Sequence, residues 1–199
     1  MRDAQLVGRA ATLYRRVPGL GRFFSRYSNL KMSMPAPTGI DQQWVADVTY
    51  IRVAGTWQFL AVVMDVYSRR IIGWSLSPSR TVELTLSALR HALRVRSPGP
   101  DLIFHSDRGS EYAAYSFQSE LAKHGIRASM SRPGCCTDNA HMESFFHTAK
   151  AELIHGVEFE DDRQLRRALA GYINQFYNRN RMHSALGYMS PVEYEEMAA

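Results

Sequence analysis

The chain has 199 residues, 45% of them hydrophobic and 22% charged, with a formal net charge of +5 and a sequence pI near 9.4. The apolar share excludes a disordered polypeptide, and two adjacent cysteines, Cys135 and Cys136, exclude a disulfide-stapled scaffold and fit a reducing, cytoplasmic setting. No run approaches the roughly 20 apolar residues of a membrane span, the start lacks a signal-peptide core, and the basic balance favours an anionic partner, of which nucleic acid is the commonest.

Residues 1–37 read as a basic arm and linker. Arg2, Arg9, Arg15, Arg16, Arg22, Arg26 and Lys31 oppose only Asp3 there, so the arm carries the whole positive excess and the domain over 38–199 is close to neutral. With no capped recognition helix legible, those arginines are expected to bind phosphate without sequence preference. "SMPAPTG" closes the arm. Three β-rich runs follow, about Trp44–Val53, Trp57–Met64 and Ile71–Leu76, joined by short turns at Ala54-Gly55-Thr56 and "DVYSRR", which predicts an antiparallel meander. The period then changes: Val82, Leu86, Leu89 and Leu93 trace one face of a helix that ends at "SPGP".

"DLIFHSD" predicts a short buried strand, residues from about Ala113 to His124 a helix closed by Gly125, and "IRASM" a last strand. Met142, Phe145, Phe146, Ala149 and Leu153 mark another helical face. A final helix from about Asp162 to Asn178 is expected to bury Leu165, Leu169, Tyr172, Ile173 and Phe176. Three antiparallel strands followed by strand–helix alternation imply an α/β domain with a mixed five-stranded sheet and helices on both faces, the order of a ribonuclease H-like architecture.

Three carboxylates stand out against this pattern. Asp47 sits inside the first strand, on the face of Val45, Thr49 and Ile51, where a charge is costly unless solvated or paired. It either guards a strand edge against aggregation or holds a ligand. Asp107 ends the fourth strand; it either initiates a turn or stands where open α/β sheets bind ligands. Glu143 shares a polar helix stripe with Asn139, His147 and Lys150, which is either a solvated face or a third ligand. In this strand order the first and fourth strands are neighbours. Three carboxylates meeting there suit two Mg²⁺ or Mn²⁺ ions, hard cations that prefer oxygen ligands and together clamp an in-line phosphodiester displacement.

The segments "QWVADVTYI", "LAVVMDVYSRRIIGW", "FHSDRGSEY", "SRPGCCTDNAHMESFFHTAKAE" and "YNRNRMHSALGYMSP" carry a family likeness. From about Asp41 to Tyr194 the chain resembles the catalytic subunit (OrfB-like) of bacterial insertion-sequence transposases with a retroviral-type integrase core. Between Asp107 and Glu143 lie 35 residues, the spacing of the D,D(35)E signature, and Lys150 stands at the family's basic position. The resemblance implies that Asp47, Asp107 and Glu143 are the metal-binding catalytic triad and that Lys150 contacts the DNA of the element's end. Asn139 and Cys136 also fall at family positions, and Asn139 is expected at the DNA.

The resemblance further implies double-stranded DNA as substrate, a homo-oligomer on DNA, and a helix-turn-helix partner, since residues 1–37 are too short for that domain. Glu111 and Thr137 depart from the family, which often has a glutamine and an aromatic residue there.

Of the remaining residues, Asp65 reads as a turn or cap residue. His105 is expected to pack in the core, on the face opposite Asp107, and His147 to be a surface or DNA-contacting residue. Arg108, beside Asp107, is expected near the scissile strand. Arg179, Arg181 and His183 are either a charged loop or phosphate contacts, and the resemblance favours DNA. The function expected is hydrolysis at element ends followed by 3′-OH transesterification. Its rivals are a nuclease that only hydrolyses and a truncated protein that binds DNA or a transposase without turnover.

Overall fold

A computed structural model of the chain describes residues 27–198. The arginines of the arm up to Arg26 therefore lie outside the described residues. From Ser28 onward the chain is docked against the domain: its carbonyl accepts from Met130 N–H, and Asn29 Nδ2 donates to Asp138 Oδ2 at 2.8 Å.

Five strands form one sheet: β1 (Gln43–Val53), β2 (Thr56–Asp65), β3 (Ile71–Ser77), β4 (Ile103–Ser106) and β5 (Arg127–Met130), in the order β3-β2-β1-β4-β5. β1 pairs antiparallel with β2 and parallel with β4, as the sequence predicts. Ala54 and Gly55 have φ of 45° and 82°, two successive left-handed residues that match the twist of a two-residue hairpin.

Alternation sorts the β1 side chains. Val45, Ile51 and Val53 enter one core with Met142 and Phe145 of α3 (Ala140–Ala149) and Leu165 and Leu169 of α4 (Asp162–Gly171). Trp44 and Ala46 enter a second core with Leu89 of α1 (Val82–Val95) and Phe117 and Leu121 of α2 (Tyr115–Lys123). At Gly73 the second layer touches backbone: a Cβ there would lie 2.4 Å from the Ala88 carbonyl, so β3 accepts α1 only through a glycine.

The structure differs from the sequence reading in four places. The helix expected from about Ala113 starts at Tyr115, because Ala114 is extended (φ −62°, ψ 140°) after a separate helical turn at Ser110–Ala113. The last long helix passes into a π-helical turn at Tyr172–Tyr177. The wider turn shifts the inward face by one residue, so Tyr177 is 3% exposed while Phe176 is 43% exposed. His105 lies on the Asp47 side of the sheet: it pairs in register with Val45, two residues before Asp47, and is buried with its ring nitrogens on the hydroxyls of Ser129 and Ser131.

Finally, a helix α5 (Pro191–Ala198) follows where the sequence suggested a tail. Its start is a capping box, with Ser190 N–H donating to Glu193 Oε2 at 2.9 Å and Glu193 N–H to Ser190 Oγ at 3.3 Å. α5 carries Glu195 to a buried ionic cluster: Glu195 takes Arg70 at 2.5 Å, Arg96, and the Ser68 hydroxyl at 2.7 Å. Ser68 N–H in turn donates to Asp65, which also accepts from Asp41 N–H. Asp65 is thus a turn residue.

Candidate active site

Where β4 stops, a cavity of about 350 Å³ opens. The parallel ladder ends at Ala46 with Ser106, so the next residue on each strand, Asp47 and Asp107, is thrust into the same space. Each carboxylate spends one oxygen locally: Asp47 Oδ1 accepts from Val48 N–H at 2.7 Å, and Asp107 Oδ1 from Gly109 N–H at 2.9 Å. Burial, and then the negative charge of Asp107, raise the Asp47 carboxyl to about 7 from an ordinary 3.8. Asp107 is raised as well, chiefly by burial.

Glu143 lines the same cavity from the first turn of α3 and is exposed. The start of α3 is fixed to the sheet by Asn139, whose Nδ2 donates to the Ala46 carbonyl at 3.1 Å, one residue before Asp47. Asn139 Oδ1 is buried with no hydrogen-bond partner among the described residues. Arg108 also lines the cavity and donates from Nε to the Ser131 carbonyl at 2.6 Å. Arg132, on the opposite wall, pairs with Asp138 at 2.9 Å, which holds the Asp138 carboxyl well below the usual carboxylate range.

One pair was not legible in the sequence. Glu111 is buried and held by Arg80, with Nε 2.6 Å from Oε1 and an Nη2 contact of 2.6 Å. The same guanidinium stands 3.9 Å from Asp107 Oδ2. A Cβ at Gly109 would lie 2.7 Å from Glu111 Oε1 and 3.0 Å from Asp107 Oδ1, so a larger residue there would displace one or both of these carboxylates. Arg80 and Glu111 are 31 residues apart, beyond the reach of any local pattern.

The remaining expected DNA contacts disperse. Lys150 opens a π-helical turn, Lys150–Ile154, and places Nζ 5.0 Å from the centre of the Tyr50 ring. Arg181 is paired with Glu152 at 3.1 Å. Arg179 lines a different cavity with Arg70, Trp74 and His91. His183 is 7% exposed, stacks edge-on against Tyr177 with ring centres 5.0 Å apart, and is lowered to about 4, first by burial. Its Nε2 is buried with no hydrogen-bond partner among the described residues.

The donor set of the cavity is oxygen-rich and fits a hard divalent cation: two neighbouring strand carboxylates repel each other, and a third stands on the same wall. Among the described residues no three His, Cys, Asp or Glu side chains are already gathered into a coordination cluster.

Two sequence profiles described as integrase core domain match this chain, over residues 37–136 and 124–191. The transposase InsF for insertion sequence IS3A of Escherichia coli (strain K12) is 45% identical over 158 residues, covering 79% of this chain and 55% of that protein. The chain thus spans about half the length of this curated relative. Among solved structures, a simian T-cell lymphotropic virus intasome in complex with PP2A regulatory subunit B56 gamma matches at a TM-score of 0.68 and 19% identity, covering 81% of this chain and 56% of that one. The HTLV-2 integrase catalytic core domain in complex with magnesium matches at 0.61 and 17% identity, covering 79% and 98%. At that identity the likeness shows the fold, which is ribonuclease H-like.

Proposed function

The chain belongs to the integrase core domain family, and from that premise we propose that it is the catalytic part of a DNA transposase. It cuts a phosphodiester at the end of its element by hydrolysis and joins the freed 3′-OH to target DNA by transesterification. The observation that carries this reading is the crowding of Asp47 and Asp107 at the end of β4 with Glu143 on the same cavity. Each aspartate keeps one oxygen on a backbone N–H, which fixes the direction of its carboxylate before substrate arrives. Mg²⁺ or Mn²⁺, two ions in the full site, would be held by Asp47, Asp107 and Glu143 and would supply Lewis acidity and an activated attacking oxygen.

Asn139 acts as a positioning residue: its bond to the Ala46 carbonyl sets the distance between Glu143 and the strand aspartates. Arg108 stands beside Asp107 for the phosphate of the scissile strand, and Lys150 for the flanking DNA. Arg179 and Arg181 are proposed as peripheral phosphate contacts, the second only by exchanging its partner Glu152. Double-stranded DNA is the substrate, with a homo-oligomer of this chain assembled on it. A helix-turn-helix partner would recognise the element's ends.

The test is a cleavage and strand-transfer assay on labelled DNA carrying the element's ends, with Mg²⁺ or Mn²⁺, comparing the protein with Glu143→Gln. Joined products from the parent alone are expected. Cleavage without joining would replace the proposal with a plain nuclease. Equal activity in Glu143→Gln would remove the third carboxylate from it.

A further inference from the structure

Beyond Ala46 the β1–β2 hairpin has, among the described residues, no strand on its β4 side, because the pairing with β4 ends there. Near its tip stand two large aromatic residues in solvent: Tyr50, 57% exposed, and Trp57, 50% exposed. Their rings meet edge to face with centroids 5.1 Å apart. A cation sits over each, Lys150 Nζ 5.0 Å from the Tyr50 ring and Arg52 5.9 Å from the Trp57 ring. Lys150 lies seven residues after Glu143, about two helical turns further along the same run of helix, which links this row to the element that lines the cavity.

We infer that Tyr50 and Trp57, flanked by Arg52 and Lys150, form a stacking platform for unpaired bases of a DNA strand beside the catalytic cavity, an inference that rests on the DNA reading above. Paired aromatic rings with interleaved cations are what a strand of bases and phosphates requires: ring faces accept bases of any sequence, and the cations meet the backbone. Duplex bases have both faces covered by their neighbours, so the rings accept only a base that is unpaired or at a strand end. Tyr50 is three residues from Asp47, about 10 Å along the strand and on its other face, and Lys150, which follows the helix packed on the Asp47 face, meets the Tyr50 ring at the edge of β1 that β4 leaves open. The platform therefore receives a strand that passes over that edge from the cavity. A cross-strand pair that merely stiffened the hairpin would have no need of half-exposed rings or of a cation delivered from another element.

Trp57 is the reporter, since Trp44 is fully buried and Trp74 is packed against His91. The experiment is a titration of the full chain with two DNAs, a blunt duplex and the same duplex with three unpaired nucleotides at one end. Tryptophan fluorescence and affinity are read for the parent and for Trp57→Leu, with thermal denaturation to show that the variant is folded. The unpaired end is expected to quench the parent and the blunt duplex not to. Trp57→Leu is expected to weaken binding of the unpaired end by about tenfold, the lower range of base–aromatic stacking, while duplex binding stays within about twofold. Lys150→Gln should weaken both DNAs and flatten the salt dependence by about one unit of slope.

Equal quenching by both DNAs, no quenching, or equal weakening of both would overturn the platform. So would self-association of the parent that Trp57→Leu abolishes, which would assign the rings to a second copy of the chain. A parent that binds and cleaves DNA without quenching removes the platform alone; one that binds neither DNA removes the DNA reading with it.

Discussion

Replacing Asp47 by asparagine should make the cation-free protein more stable, and the gain should depend on pH. The amide side chain keeps an oxygen to accept from Val48 N–H but cannot ionise. The folded carboxyl is raised to about 7 against an ordinary 3.8, which sets a ceiling of about 4 kcal/mol on the cost of its charge. The Asp107 side chain that contributes to it is 39% exposed and screened, so about 2 kcal/mol is the working figure. The sign follows from a raised folded value. Below about pH 4 the group is protonated in both states and the two proteins are equal. As pH rises the unfolded chain ionises while the folded one holds its proton, so the parent loses stability, and above about pH 7 the loss is complete.

In a chelator at pH 8, Asp47→Asn should melt roughly 4–8 °C higher than the parent, with the difference closing toward pH 4. Urea or thermal denaturation at pH 4, 6 and 8 measures it. Millimolar Mg²⁺ should reverse the order, since a ligand of the folded state stabilises only the protein that binds it. Equal melting at pH 8 in chelator, or a gap that does not close with acid, would refute the claim that burial, and then the charge of Asp107, raise the Asp47 carboxyl.

Three further outcomes are expected. Glu195→Ala leaves Arg96 and Arg70 without their carboxylate and should cost about 3–5 kcal/mol in urea denaturation. Arg80→Gln strands the buried Glu111 and should cost about 3 kcal/mol, whereas Arg80→Gln with Glu111→Gln should recover most of it, a coupling that a double-mutant cycle reads directly. Asn139→Ala should lower stability by only about 1 kcal/mol yet slow strand cleavage about tenfold or more, because Glu143 loses its reference to β1.

Much of the frame is local and therefore legible. The β1–β2 hairpin is written in alternation and in Ala54-Gly55, and the close approach of β1 and β4 follows from the element order. The capping box of α5 is present as Ser-Pro-Val-Glu and is open to the same rules, although the sequence reading places only a tail there. The π-helical turns have no such signature: nothing in "YINQFY" distinguishes an inward Phe176 from an inward Tyr177 until the backbone widens. The site divides along the same line. Carboxylates in improbable places announce themselves one by one, whereas Arg80 against Glu111, or Lys150 over Tyr50, is a meeting of distant segments that only the fold reveals.

The ionic cluster at α5 also orders events in time. Glu195 is 99 residues downstream of Arg96 and 125 downstream of Arg70. A ribosome adding about 5–20 residues per second leaves Arg96 without its carboxylate for roughly 5–20 s after it is made. Through that interval the nascent domain holds cations where the folded one holds ion pairs, and α5 is the helix that releases it from this waiting state.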